Sequence, residues 1–197
     1  MSIWLKVRKI WPTLSVLGGT AGVLALLGGV AIPVPGLLSL HGVAVPIALL
    51  APLALSTVLA FALTAGDEVL ESASSRRLGL LDVALVGGIT TMSLLIFTVV
   101  TMVGATELGA AAGRNACGYV GLMLLGARFV SGYAASLVPS GFAVLTAIFG
   151  GSAAGEPRWW AWLLADATDL HSWLLALGLL LLGSVLWLSR PSPLLRS

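Results

Sequence analysis

Apolar residues run through this chain in long, nearly uncharged blocks separated by short polar or proline-rich breaks. The blocks cover about residues 14–32, 43–65, 81–103, 114–129, 137–151 and 171–189. Neither strict alternation nor a soluble helix's one-sided stripe organises them. A run of roughly 17–25 apolar residues at 1.5 Å rise per residue spans the hydrocarbon of a bilayer. The pattern therefore predicts an all-α fold, a polytopic bundle of six transmembrane helices. The breaks are Pro33-Val34-Pro35-Gly36 running to His41, a polar stretch from Asp67 to Leu80, a small-residue loop around Glu107, and a polar-aromatic connection over residues 155–169. Pro46 and Pro52 interrupt the second block and predict a bent helix there.

Composition agrees. Of 197 residues, 58% are hydrophobic and only 9% are charged. Soluble domains carry about 25% charged residues, so this chain cannot cover a water-facing surface. Its length suits one membrane domain, residues 1–197, with no room for a sizeable soluble one. The lone Cys117 excludes an intramolecular disulfide. The basic start resembles that of a signal peptide, but no small-residue cleavage site follows, and the first block is read as a retained span.

The charges give an orientation. With the N-terminus inside and six crossings, Lys6, Arg8, Lys9, Arg76, Arg77, Arg128, Arg190 and Arg196 lie inside, against Arg114 and Arg158 outside. Eight of ten cations on one side is the bias expected of a multi-pass inner-membrane protein with both termini cytoplasmic. Tryptophans follow the same boundaries: Trp4, Trp11 and Trp187 fall inside, and Trp159, Trp160, Trp162 and Trp173 outside. Residues 1–10 alternate apolar and basic positions at near-helical spacing, which predicts an interfacial helix on the inner leaflet.

Candidate chemistry is sparse. Neither Lys6 nor Lys9 follows a glycine, so the chain has no phosphate-binding G-x-x-x-x-G-K-[ST] loop. His41 and His171 are too few for a zinc or di-metal site, so no metal or other cofactor is expected. Ser140 and His171 fall at opposite membrane boundaries, too far apart for a nucleophile and its base, and no catalytic residues are assigned. Asp82 and Arg128 are the intramembrane charges near the inner side. They are either two interfacial charges or a pair tying spans three and four. Arg114 and Asn115 open span four on the other side, where Arg114 is placed to reach outer phosphates or pair with Glu107. Small-xxx-small spacings at Gly18/Gly22, Gly109/Gly113 and Ala143/Ala147 predict close helix contacts.

Two connections stand out. Residues 67–80 place Asp67, Glu68 and Glu71 early and Arg76 and Arg77 late, the charge order a helix dipole favours. Such a segment is either a docking helix for a soluble partner or a plain solvated loop. Residues 155–169, with Arg158, Trp159, Trp160 and Trp162, are too apolar for a free loop and too short to span, so they predict a re-entrant or interfacial element on the outer side.

An N-terminal interfacial segment, six spans, a cytoplasmic segment between spans two and three, and a re-entrant segment before span six together resemble a type-2 ABC exporter permease. The stretch Gly113-Arg114-Asn115-Ala116-Cys117-Gly118-Tyr119-Val120-Gly121-Leu122, with Arg158-Trp159-Trp160-Ala161-Trp162, is similar to small actinobacterial members of that class. The resemblance implies a separate ABC-type ATPase subunit docking on residues 67–80, a second permease copy or related chain, and a hydrophobic or amphiphilic substrate. It implies membrane lipid but no nucleic acid among the partners. Other readings remain open: an accessory subunit of a larger membrane complex, a lipid-acting enzyme, or a secondary transporter. The last two are disfavoured by the scarcity of polar groups near an interface or midplane.

Overall fold

The computed structural model describes residue 4 and residues 8–34, 43–65, 78–104, 106, 108–130, 132–152 and 156–189. Helices dominate it. In chain order they are α1 (Ile10–Leu27), α2 (Ile47–Leu50), α3 (Leu53–Thr64), α4 (Leu78–Met102), α5 (Gly109–Phe129), α6 (Leu137–Phe149) and α7 (Leu170–Leu188). Short 3-10 turns at Gly132–Ser136 and Trp162–Leu164 precede α6 and α7. Four stretches are long and apolar enough to cross a membrane: α1, the pair α2–α3, α4 and α7.

Their surfaces are inverted relative to a soluble protein. On α7 the outward positions are Leu170, Leu174, Leu177, Leu181, Val185 and Leu188, at helical spacing. Its buried positions include Ser172, Ala176 and Gly183. Large apolar side chains outside and small ones inside suit a hydrocarbon solvent, where close backbone packing replaces the hydrophobic drive.

The element not anticipated is a two-stranded antiparallel hairpin, β1 (Ala31–Val34) with β2 (Val43–Pro46), pairing Ala31 with Pro46 and Val34 with Val43. It replaces the predicted end of the first span and start of the second. Helix α1 stops at Leu27, where Gly28 and Gly29 follow, and β-branched residues take over. The hairpin end of the bundle also gathers the start of α5, residues 150–152 and 156–169, and the start of α7. The start of α1 and the ends of α3 and α7 meet the start of α4 at the opposite end, where Gly79 touches Leu188.

Helix α5 is the axis. Fifteen of its 21 residues are buried, and it is packed by α4, α7, α3, α6 and α2, most extensively by α7. Each glycine admits a different neighbour. Gly113 faces Leu94 of α4, Gly118 faces the Trp162 ring, and Gly126 faces Val138 of α6. At Gly121 an added Cβ would lie 2.5 Å from the backbone of Leu179 and Leu180, and one at Gly183 would lie 2.7 Å from the Gly121 carbonyl oxygen. Thus α5 and α7 approach backbone to backbone. Of the small-residue pairs, Gly109/Gly113 and Ala143/Ala147 do mark buried contacts, whereas Gly18 and Gly22 face open space on α1.

Candidate functional site

Polar side chains buried in an apolar bundle are costly unless paired, so they locate the places where this chain departs from mere packing. Among the described residues two such nodes stand out, one near each end.

The first is built on Arg8. Lys9, at the N-cap of α1, adopts φ 48° and ψ 48°, a left-handed conformation that turns the chain just before the helix. Arg8 lies under the bundle and is 1% exposed. Its Nε and Nη2 donate to the two carboxylate oxygens of Asp82, each at 3.0 Å. Its Nη1 donates to the Leu63 carbonyl at 2.7 Å. Leu63 lies in the last turn of α3, where carbonyls lack helical partners and the dipole favours a cation. One guanidinium therefore ties the start of α1 to the end of α3 and the start of α4. Those last two ends flank residues 66–77. The expected Asp82–Arg128 pair is corrected: Asp82 is gripped by Arg8, while Arg128 is exposed on the last turn of α5. Position explains the preference: Arg8 is buried between the end of α3 and the start of α4, within reach of both Asp82 oxygens, whereas Arg128 points out of the bundle. Arg8 is likewise not on a basic face in the headgroups. The rest of the expected interfacial helix, apart from Trp4 and residues 8–10, falls outside the described residues, as do the docking candidates Asp67, Glu68, Glu71, Arg76 and Arg77.

The second node is on α5. Arg114, Asn115 and Tyr119 are each fully buried. Arg114 donates from Nη1 to the Asp166 carbonyl at 2.7 Å and from Nη2 to the Ala165 carbonyl at 2.9 Å. Its Nε and Nη2 also reach Asn115 Oδ1, both at 3.2 Å. That fixes the Asn115 amide, whose Nδ2 donates to the carbonyls of Leu163 at 3.1 Å and Leu49 at 3.4 Å. The Tyr119 hydroxyl donates to the same Leu49 oxygen at 3.1 Å. Leu49 is available because of Pro52. The first half-helix closes with the Ala51 N–H on the Ile47 carbonyl, and the second restarts with the Leu55 N–H on the Pro52 carbonyl. An unbroken helix would bring the Leu53 N–H to the Leu49 carbonyl; the break at Pro52 withholds it, so this acceptor takes side-chain donors. Arg114 thus neither snorkels outward nor lies at the surface. It secures backbone inside the bundle.

Residues 150–152 and 156–169 belong to the return segment that this node holds. The Arg158 N–H donates to the Gly150 carbonyl and the Ser152 N–H to the Glu156 carbonyl, each at 2.8 Å. Arg158 and Trp159 are exposed, and Trp160 is half-buried, edge-on to Phe142. Trp162 departs from the expected interfacial position. It is 3% exposed, lies against Gly118, and stacks on Phe142 at 5.3 Å between centroids. Ala161 and Leu163 are buried with it. The segment therefore packs against the bundle as a wedge at residues 161–163 and returns to the start of α7. There Asp169 caps the helix, accepting from the backbone N–H groups of His171 and Ser172 and from the Ser172 hydroxyl. The Ser172 hydroxyl, helped by those two N–H groups, holds the Asp169 carboxyl below the ordinary aspartate range.

Between the hairpin and this return segment lies a cavity of about 310 Å³, walled by Pro46 and Leu49 on one side, Leu164, Ala165 and Asp166 on the other, with Ala111 of α5 between. The chemistry available is binding and mechanical support. Ser140 donates to the Ser136 carbonyl one helix turn back, while His171 is exposed at the opposite end of the bundle. Among the described residues no cluster of metal-ligating side chains occurs. The sequence signal for the second node was the modest hydrophobicity of residues 109–129. A span holding Arg114, Asn115 and five glycines faces protein rather than lipid. Comparison with protein-family models, with curated proteins and with solved structures gives no match to this chain.

Proposed function

We propose that this chain is the membrane-spanning permease subunit of an ATP-driven exporter, working with a separate ATPase. In this reading α5 and α6 join the four membrane-length helical stretches to make six crossings. The end bearing Arg8, Lys9 and Arg128 faces the cytoplasm, in keeping with the positive-inside rule. Residues 67–80 then lie on the ATPase side, with Asp67, Glu68, Glu71, Arg76 and Arg77 as docking groups.

The observation that carries the proposal is the Arg8 tie. A partner pushing on the connection between α3 and α4 would move two helix ends that one guanidinium locks to each other and to α1. Force would pass into the bundle as a rigid unit rather than dissipate in a loose loop. The broken helix α2–α3 gives that motion a place to be absorbed. Co-purification from native membranes tests it. The proposal expects an ATP-binding chain with this protein, and Glu68→Lys with Glu71→Lys to abolish the association. Isolation of intact assemblies without such a chain would rule it out.

One observation favours a second reading, an accessory subunit that transports nothing: most of α5 is buried, and Arg114, Asn115 and Tyr119 find their partners within the chain. Reconstitution with the ATPase separates the two, since an accessory subunit moves no amphiphilic substrate under ATP.

A further inference from the structure

We infer that the 310 Å³ cavity beside β2 is a binding site for a short, extended, apolar peptide segment, which pairs through its main chain with the outer edge of that strand. The hairpin's own bonding shows the edge. The Ile47 N–H donates to the Val30 carbonyl at 2.9 Å, one step beyond the pair of Ala31 with Pro46. Antiparallel ladders alternate, so the bonded pairs are Ile32 with Val45 and Val34 with Val43. Ala31, Pro33, Ala44 and Pro46 then turn their backbone groups away from the partner strand, and both prolines sit where the ladder calls for no N–H. On β2 the Ala44 N–H and carbonyl point outward, with no hydrogen-bonding partner among the described residues.

That edge borders the cavity, which Ala44 and Pro46 line. The return segment presents a similar edge to it. The Arg158 N–H on the Gly150 carbonyl and the Ser152 N–H on the Glu156 carbonyl bracket Gly151 and Pro157 as an antiparallel pair with no bond between them. Gly151 is buried and lines the cavity, and its N–H and carbonyl face away from Pro157 without a partner among the described residues. Buried backbone groups are paired in the great majority of cases. An extended chain carries the alternating donors and acceptors that both edges lack, while Leu49, Leu108 and Leu164 offer apolar walls to its side chains. The volume lies at the low end of the roughly 300–1,000 Å³ usual for ligand sites, which suits a short segment and not a folded domain. Asp166 is the one ionisable residue in the lining, and its charge favours a free amino terminus over the phosphate of an anionic lipid. The site needs neither an ATPase nor residues 67–80, so its failure would leave the exporter reading untouched.

Binding to the full-length protein in phosphatidylcholine nanodiscs tests this. The probe is leucyl-valyl-leucine with a fluorophore on its C-terminal amide, read by anisotropy, and empty nanodiscs give the background. Saturable binding above that background is expected. A copy methylated on the valine nitrogen cannot donate to the strand edge and is expected to bind about tenfold more weakly. Ala44→Pro removes the outward N–H at a position matching Pro33 across the ladder, and a similar loss of about tenfold is expected. Ala111→Leu fills the cavity floor and is expected to abolish binding. Thermal unfolding checks that both variants fold; if either does not, the methylated peptide decides alone. No saturable binding, or equal affinity for the methylated peptide, would overturn the site. So would loss of binding in nanodiscs containing phosphatidylglycerol, which would assign the cavity to lipid.

Discussion

Asp82 illustrates how a single carboxylate decides local architecture here. Its side chain is 6% exposed, that of Arg8 is 1% exposed, and the two form an ion pair at 3.0 Å. Removing one partner of such a pair typically costs about 3–5 kcal/mol, because the survivor stays buried and charged. Arg8→Ala is therefore expected to lower the Tm in detergent by roughly 10 °C. Arg8→Met combined with Asp82→Leu should recover most of that loss, and differential scanning measurements on the three variants check both statements. A double variant no better than the single would show that the ion pair is not what joins these helices. Asp169 behaves differently because it sits at the water boundary. Its folded pKa is depressed, chiefly by the Ser172 hydroxyl. The cap's contribution is then fully present above the ordinary aspartate pKa and disappears as pH falls through the lowered folded value. Asp169→Ala should abolish this acid-side dependence of thermal stability, while Asp169→Asn, which keeps one acceptor oxygen, should flatten it and retain part of the cap.

Among the elements, α5 makes the sharpest demand on its sequence. Gly121→Ala would drive a Cβ to 2.5 Å from the α7 backbone, which cannot step aside as a flexible side chain would. The helices must separate, at a cost of about 1–3 kcal/mol. Gly18→Ala meets nothing within 4 Å on α1 and should be neutral or stabilising by up to about 1 kcal/mol through helix propensity. Equal losses at both positions, read from thermal unfolding, would contradict an axial role for α5. The same contrast explains what hydropathy could and could not reveal. The third and sixth blocks, expected over 81–103 and 171–189, lie within helices α4 and α7 to within a residue, because a lipid-facing helix must be apolar almost throughout, and the fourth, over 114–129, lies within α5. The hairpin escaped because Ala31–Val34 and Val43–Pro46 are as apolar as the helices beside them, and a running average cannot tell a strand from a helix end. Arg114 was placed outside for a related reason. Position along a block gives depth but not azimuth, and the glycines and modest hydrophobicity around it were the hints that this face meets protein. Trp162 was misplaced by the same logic, since its three neighbouring tryptophans do keep to exposed or half-buried positions.

At the scale of the whole molecule, the charges sort by end. Arg8, Lys9 and Arg128 lie at one end, whereas Glu156, Arg158, Asp166 and Asp169 lie at the other. Cations retained on one side influence orientation strongly, and the exporter reading takes its direction from this distribution among the described residues. Arg8 is a special case, because its charge is already committed to Asp82 and Leu63 and is shielded from the headgroups. Orientation should then rest more on the exposed Lys9 and Arg128 than on Arg8 in the finished fold. Single cysteines in a Cys117→Ala background make this measurable in intact cells. An impermeant maleimide is expected to modify Glu156→Cys from outside and to reach Tyr133→Cys only after the membrane is breached. Tyr133 suits the purpose because it is exposed at the opposite end, stacked on Phe61. Labelling of both sites from outside would mean that α6, only 13 residues long, does not separate them across the bilayer. That result would reduce the count of crossings and remove the two-sided arrangement on which the exporter reading stands, while leaving the Arg8 and Arg114 nodes intact as features of the fold.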